Sequence, residues 1–374
     1  MRPTVMLVGL GDLGGVVLEM LVREPRIGRI VVGSIKAEEA QARCNLARLA
    51  AIAQGYDPTV TFVPLDINDT DSVAGTVTRE SPDIVLNTAT LQTWWLPDAL
   101  PEPQAKLLKS AGFGVWLPAH LHLAMKLMEA LRDAGCGGVV LNAPFPDVVN
   151  CVLGRIHLAP TCGVGNLGEI VPKLRLLAAE RLAVELEDLT VLLVAHHALE
   201  RYALWGTAGE RPPYFLRIEY GGADVTPEVE GHDLLFSAFP LSAGTAIHFL
   251  TAATTVRLIQ ALCSSDETLL HVPGPDGLPG GYPVLAHEGG VELLPVAGLS
   301  RDDAVAINER SHRFDGIDRI EADGTVVFRP ESAAVMRDVL GYDCQRLPPH
   351  DVEQRSAELI ARFREFANRH GVQL

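Results

Sequence analysis

The sequence predicts an α/β protein: residues 1–142 form a doubly wound parallel sheet, and residues 143–374 form an α+β domain for substrate binding, catalysis and dimerisation. Two observations predict this. Up to Asn142, short apolar strand-like segments alternate with helical segments, and a glycine-rich turn follows the first strand. Beyond Asn142 the alternation stops, and longer strands are mixed with helices. The change of rhythm marks the boundary between the two predicted domains.

The predicted strands of the first domain are short and apolar, as in a sheet that helices cover on both faces. They are Thr4–Val8, a strand ending with Val31–Gly33, Val60–Pro64, Asp83–Asn87 and Gly138–Asn142. Helical spacing predicts the segments between them. These are a stretch ending at Arg23, then Lys36–Ala53, Asp69–Arg79, Gln104–Ser110 and His120–Ala134.

The second domain has a less regular pattern. Its predicted helices are Pro146–Gly154, Asn166–Ala183, Ser242–Leu262 and Asp351–His370, and its longer strands are Thr190–Ala195 and Tyr214–Tyr220. Proline and glycine dominate Pro273–Pro283, which predicts a loop.

Composition limits the classes of partner. Forty-seven acidic against thirty-one basic residues give a formal charge of −16, which disfavours nucleic acid and anionic membranes as partners.

We expect no signal peptide and a cytoplasmic location. We also expect reduced cysteines, because the six cysteines form no CxxC pair. No histidine, cysteine and acid cluster has metal-ligand spacing, so no metal is predicted. We expect a small-molecule substrate and a homodimer.

The glycine-rich turn is a GxGxxG motif formed by Gly9, Gly11 and Gly14, with Asp12 and Leu13 inside it. It follows a strand and opens a helix, which is the context of a dinucleotide-binding Rossmann domain. The first glycine permits the tight turn, the second admits the pyrophosphate, and the third allows close helix–strand contact. Small residues at the end of the fourth strand, Thr88 and Ala89, would lie against the bound ribose.

The end of the second strand bears on cofactor choice. NAD-binding domains place an acid there for the ribose hydroxyl, but this chain has Ser34 and Lys36, with Arg43 further on. These residues suit a 2′-phosphate, so NADP is favoured over NAD. The alternative is that Lys36 is an ordinary solvated lysine.

Several motifs resemble those of the lactate/malate dehydrogenase superfamily. The strand end Asn142–Asn150 precedes a glycine-rich turn, Gly163–Gly168, and a helix with basic residues. His197 lies before Trp205 much as the family's catalytic histidine lies before a tryptophan. The NAD-dependent family 4 glycosidases resemble the same layout. The resemblance implies hydride transfer with a histidine that exchanges the proton.

The sequence departs from that family at its substrate-binding positions. The family's carboxylate-binding arginine falls at Lys173, with Arg175 nearby, and the family's aspartate falls near Ile170, where the closest acid is Glu169. Leu91–Gln104 contains tryptophans instead of an arginine. A 2-oxo acid needs a bidentate cation, so lactate and malate are poor candidates. Other segments, Val63–Asp69 and Ser81–Asn87, resemble saccharopine-dehydrogenase-like reductases.

Candidate catalytic residues follow from the strand ends. His196 and His197 end a predicted strand, and adjacent strand residues point to opposite faces, so only one would face the nicotinamide. The tryptophan spacing favours His197. Asn142 and Lys173 are candidates for substrate binding, and Glu200 and Arg201 for orienting the imidazole or binding substrate.

The predicted function is an NAD(P)-dependent oxidoreductase acting on a small polar or partly aromatic metabolite, with histidine as proton donor or acceptor. One alternative is a family-4-like hydrolase or lyase with internal hydride transfer, whose divalent metal Cys162 and His196 would hold. Another is an NAD(P)-binding protein without catalysis.

Overall fold

The computed structural model describes residues 2–242 and 244–373. Its first sheet has six parallel strands in the order β3-β2-β1-β4-β5-β6. They are β1 (Thr4–Val8), β2 (Arg29–Ser34), β3 (Val60–Pro64), β4 (Ile84–Asn87), β5 (Val139–Asn142) and β6 (Cys162–Gly163). This is the strand order of the Rossmann fold, so the predicted doubly wound sheet is confirmed. The sheet continues past residue 142 into β6, and the division into two domains at that residue stays a prediction.

Helices cover both faces of this sheet. The helices of this part of the chain are α1 (Asp12–Leu21), α2 (Ala37–Ala53), α3 (Thr70–Glu80), α4 (Glu102–Lys109), α5 (Leu117–Asp133) and α6 (Pro146–Arg155). Successive side chains of β1 point to opposite faces of the sheet, as the pleat of a strand requires. Leu7 packs in the cluster that contains Val17 of α1, whereas Met6 packs in the cluster that contains Val73 of α3.

The second region is built on an antiparallel sheet in the order β10-β11-β7-β8-β9, with β12 paired to β11. Its helices and strands are α7 (Val171–Leu182), β7 (Leu189–Ala195), α8 (Glu200–Ala203), β8 (Tyr214–Tyr220), β9 (Ala223–Asp224), α9 (Gly231–Phe236), α10 (His248–Leu262), β10 (Thr268–Pro273), β11 (Gly281–His287), β12 (Gly290–Leu293) and α11 (Arg301–Ser311). This mixture confirms the predicted α+β character.

The chain ends with β13 (Ile317–Ile320), β14 (Val326–Phe328), α12 (Pro330–Leu340), β15 (Arg346–Leu347) and α13 (Val352–Arg369). Two of the later helices return to the Rossmann region. Val256 of α10 shares a buried cluster with Leu18 of α1, and Phe363 of α13 packs edge-on against Trp116 at 5.1 Å between ring centroids. These contacts bring α10 next to the glycine turn.

Several predicted boundaries were wrong, among them the start of the helix predicted from Ser242, which begins at His248 after a 3₁₀ turn over Gly244–Ile247. The helix predicted from Asn166 begins at Val171, because Asn166 donates its side-chain amide to Asp147 and Pro172 is suited only to a first helical turn. The predicted Pro273–Pro283 loop is shorter, since its ends belong to β10 and β11. Pro283 has no N–H, but its carbonyl still accepts a hydrogen bond from Leu294 at 3.1 Å.

Candidate functional site

The glycine turn joins β1 to α1 and is shaped by close backbone approaches. Gly9 has φ +91°, and a Cβ there would lie 2.7 Å from the Ala89 nitrogen. A Cβ at Gly14 would lie 2.4 Å from the Gly9 carbonyl oxygen, which also accepts a 2.8 Å hydrogen bond from the Thr88 hydroxyl. By contrast, a Cβ at Gly11 would meet no atom within 4 Å. The space beside Gly11, at the start of α1, therefore fits the phosphates of a dinucleotide.

The end of β2 lies next to this turn and carries no acid. Ser34 is buried, whereas Lys36 is exposed and pairs with Glu39 at 3.4 Å. Arg43 reaches back from α2 and donates a 3.2 Å hydrogen bond to the Gly11 carbonyl. Arg43 also pairs with Glu19 at 3.5 Å, so both cations near the end of β2 have a glutamate as a neighbour.

The segment after β4 folds towards the same turn. The Trp95 indole donates a hydrogen bond of 3.1 Å to the Asp12 carboxylate in the first turn of α1. The neighbouring Trp94 donates one of 2.9 Å to His248 at the start of α10. The two tryptophans that replace the expected arginine therefore connect this segment to both helices that border the glycine turn.

Three asparagines form a hydrogen-bonded row behind the strand ends. Asn142 accepts a 2.9 Å bond from Asn87 and donates to Asn150 and to the Pro144 carbonyl, at 2.9 and 3.2 Å. Asn142 is 3% exposed. Both polar atoms of its side chain are thus engaged, and the structure gives Asn142 a positioning role rather than the predicted contact with substrate.

His196 and His197 meet at one carboxylate that the sequence did not predict. The Oδ2 atom of Asp315 lies 2.6 Å from Nε2 of His197 and 3.3 Å from Nδ1 of His196. The prediction that the two imidazoles diverge was wrong. β7 ends at Ala195, and His197 begins a turn of 3₁₀ helix, so strand alternation no longer applies. Asp315 comes from the turn after α11 and is 3% exposed.

A second carboxylate holds the backbone of the same histidine. Asp147, in the first turn of α6, accepts a 3.0 Å hydrogen bond from the His197 N–H and a 2.5 Å bond from Asn166. Because α6 follows β5, this contact places His197 at the carboxyl edge of the parallel sheet. Binding crevices of open α/β sheets lie at this edge.

The charges around His197 are mostly acidic. Burial opposes protonation of His197, but the Asp315 and Asp147 carboxylates outweigh it and raise its pKa. Burial also raises the pKa of Asp147 to about 6 and that of Glu169 to about 7. Burial, together with the neighbouring acids, raises the pKa of Glu200 well above its usual range. His196 is fully buried, which lowers its pKa and keeps it neutral.

Lys173 does not reach this cluster, contrary to the sequence-based expectation. Its ammonium donates hydrogen bonds to the backbone carbonyls of Ala203, Leu235 and Ser237, at 2.6, 3.1 and 2.7 Å. These use all three of its donors, so Lys173 joins α7 to neighbouring segments instead of binding substrate. The sequence does not reveal these hydrogen bonds of Lys173, because the three acceptor carbonyls come from segments that are distant in the chain.

The structure also shows the surroundings of the other residues that the sequence analysis considered. Cys162 lies in β6 and is fully buried in an apolar cluster, and this burial raises its pKa. Arg201 donates to the Phe314 carbonyl at 2.9 Å, beside Asp315 in the chain. His120 and His122 have separate partners, Thr90 at 3.0 Å and Asn68 at 3.1 Å, as helical spacing predicts.

Comparison with known proteins shows the fold. The chain matches a malate dehydrogenase from Cryptosporidium parvum with TM-score 0.57 and 14% identity, over 84% of this chain and 97% of that one. A lactate dehydrogenase from Eimeria maxima with NADH and oxamate matches with TM-score 0.57 and 14% identity, covering 84% and 92%. A malate dehydrogenase from Plasmodium falciparum matches with TM-score 0.54 and 12% identity, covering 96% and 99%. No protein-family model and no curated protein sequence matches.

These matches define the class of fold that the chain adopts, a Rossmann domain followed by the α+β region of the lactate/malate dehydrogenases. The predicted fold resemblance is thereby confirmed. Within the described residues, no helix combines the length and apolarity needed to span a membrane.

Proposed function

We propose that this protein is an NAD(P)-dependent oxidoreductase in which His197 exchanges a proton with a small-molecule substrate. The observation that carries the proposal is the placement of His197 at the carboxyl edge of a Rossmann sheet, between the carboxylates of Asp147 and Asp315. Hydride transfer requires an oriented nicotinamide and one group that trades a proton with the reacting atom. The glycine turn and this imidazole supply the two requirements.

The two ring nitrogens of His197 have different roles in this proposal. Nε2 is buried against Asp315, which leaves Nδ1 as the nitrogen that can face a substrate. Asp315 acts through His197 and is therefore a positioning residue, because its negative charge stabilises the imidazolium. The side chain of His197 is 21% exposed, so a substrate has access to it.

The proposed substrate is not a 2-oxo or 2-hydroxy acid. The Lys173 ammonium is already hydrogen-bonded to backbone carbonyls. The segment after β4 carries Trp94 and Trp95 where the family has an arginine. The carboxylates of Asp147 and Asp315, which contact His197, disfavour an anionic substrate. A neutral or cationic polar metabolite suits the site better.

NADP is the proposed cofactor, with NAD as the alternative. Lys36 and Arg43 supply positive charge beside the end of β2, where an acid would be expected for NAD. Solved neighbours of the same fold are described with NADH, including the Eimeria maxima enzyme, which is the basis of the alternative.

The test is an absorbance assay of the reduced nicotinamide during incubation with alcohols, amines and their oxidised counterparts. A net absorbance change that depends on substrate supports the oxidoreductase. Product formation without net change would instead favour a hydrolase or lyase with internal hydride transfer. Cofactor binding without any turnover would leave a nucleotide-binding protein and overturn the proposal.

A further inference from the structure

Three buried polar atoms without a hydrogen-bond partner come from one neighbourhood, around Asp315. They are Nε2 of His196, Nε2 of His312 and Oδ2 of Asp147. Buried polar groups are nearly always paired, so such a concentration needs an explanation. The rings of His196 and His312 lie 5.1 Å apart, and those of His196 and His197 lie 4.9 Å apart.

We infer that His196, His197 and Asp315 bind a divalent transition-metal ion. Each side chain offers one ligand atom, and the three ligand atoms lie within 4.8 Å of one another. Two imidazoles and one carboxylate suit Zn²⁺ and its neighbours in the first row, better than Ca²⁺ or Mg²⁺. No sequence spacing indicates this site, because Asp315 is distant in the chain from both histidines.

His196, His197 and Asp315 contact one another in the way that ligands of one cation would. Nδ1 of His196 accepts a 3.3 Å hydrogen bond from the Ala198 N–H, so it carries a lone pair rather than a proton. The same atom faces Oδ2 of Asp315, another acceptor, at 3.3 Å. Nε2 of His197 lies 2.6 Å from that oxygen as well. Nδ1 of His196 has one lone pair, so an ion bound there would replace the long Ala198 contact, and its positive charge would separate the two acceptors.

The surroundings can support such an ion. Three protein ligands leave coordination positions open, as in catalytic zinc sites, where water or substrate completes the set. Unpartnered Oδ2 of Asp147 belongs to the same buried neighbourhood, so it adds negative charge there. An ion would occupy the nitrogen of His197 that otherwise faces Asp315. The ion and a proton would compete for this nitrogen, so the proton transfer of the proposed function belongs to the metal-free protein.

The test uses the full-length protein after treatment with a chelator. Calorimetric titration with Zn²⁺, and separately with Mn²⁺, should show one equivalent of at least one ion. The Co²⁺-loaded protein should show the visible absorption of Co²⁺ bound to nitrogen and oxygen ligands. Replacements His196→Asn and Asp315→Asn should each raise the Kd at least about tenfold. The exposed control His350→Asn should leave the Kd unchanged; its side chain is 81% exposed.

A second measurement does not depend on whether the variants fold. Anomalous diffraction from a crystal of wild-type protein soaked in Zn²⁺ should place the ion among His196, His197 and Asp315. Absence of a stoichiometric ion, an ion located elsewhere, or equal affinity in folded variants would overturn the inference. A protein that reduces NAD(P) but takes up no ion overturns this inference alone. A protein that takes up the ion but never exchanges hydride, even when it is metal-free, overturns the proposed function alone.

Discussion

Asp315 lies 2.6 Å from Nε2 of His197, although the two residues come from segments that are far apart in the chain. The contact commits one nitrogen of the imidazole and leaves the other for a substrate. The contact therefore orients the imidazole of His197, and the Asp315 carboxylate raises the pKa of that imidazole. Any test of the proposed chemistry begins with this histidine.

His197→Asn should reduce turnover by about 10²–10⁴-fold in metal-free protein, because a general acid–base group typically contributes that much. Asparagine keeps a polar side chain but cannot exchange a proton near neutral pH. Cofactor affinity should stay nearly unchanged, since the glycine turn is untouched. Steady-state kinetics and dinucleotide titration measure the two quantities, with His350→Asn as the control. Near-normal turnover in His197→Asn would assign proton transfer to another group.

Gly11→Val should abolish dinucleotide binding while the protein stays folded. The added side chain enters space that is open in the structure, so the fold has no reason to change. That space is where the phosphates would approach the backbone. Gly75→Val on α3 is the matched control, because a Cβ there also meets no atom within 4 Å. Fluorescence titration with the reduced cofactor measures the result, and equal affinity in both variants would refute the assignment.

NADPH should bind more tightly than NADH, because Lys36 and Arg43 place positive charge beside the end of β2. Lys36→Glu should reverse the preference by repelling a 2′-phosphate and offering an acceptor to a ribose hydroxyl. Calorimetry with both cofactors measures the ratio of the two Kd values. Lys109→Glu on α4 serves as the charge-matched control. Tighter NADH binding by the wild-type protein would contradict the prediction.

Glu169→Gln should stabilise the protein at about pH 8 and do much less at about pH 5. Glu169 is buried, with His197, Asp147, Glu200 and Thr251 around it, and its pKa rises from 4.5 to about 7. The folded state therefore favours the protonated acid. Its contribution to stability is fully present below about pH 4.5 and is lost as the pH rises to about 7.

The loss amounts to about 3 kcal/mol for a shift of this size. Glutamine can still accept the 2.6 Å hydrogen bond from Thr251 but carries no charge. Urea unfolding at the two pH values gives the difference in free energy between Glu169→Gln and wild type. The exposed Glu39→Gln should show no such pH dependence. An equal effect at both pH values would show that Glu169 titrates normally.

A homodimer is expected, and its proposed interface is an exposed apolar face on α2, which lies outside the region 143–374 to which the sequence assigned dimerisation. Leu46 and Leu49 are 67% and 65% exposed, and Ile52 lies on the next turn at 46%. A second copy of the chain would cover this face in a two-fold interface. Replacing Leu46 and Leu49 with glutamate should give a monomer of 40.3 kDa in sedimentation experiments. Leu107→Glu on α4 is the control, and a wild-type protein that is monomeric at micromolar concentrations would contradict the prediction.

Local patterns in the sequence determined the Rossmann half of the molecule. The apolar runs of β1 and β3 have the predicted ends, and the glycine turn follows β1 as expected. These features depend on a few neighbouring residues: a buried strand needs an apolar run, and the turn needs Gly9 at positive φ. Periodicity also predicted α13, within one residue at each end.

Tertiary structure decided the chemistry around His197. Lys173 follows a helical pattern that any surface lysine would satisfy, and only the folding of three distant carbonyls around it shows that it is sequestered. No sequence motif identifies Asp315 as a site residue. It reaches His196 and His197 because the turn after α11 closes over the end of β7. Sequence spacing reports which side chains share a strand or a helix, whereas a site assembled from separate segments exists only once packing has brought those segments together.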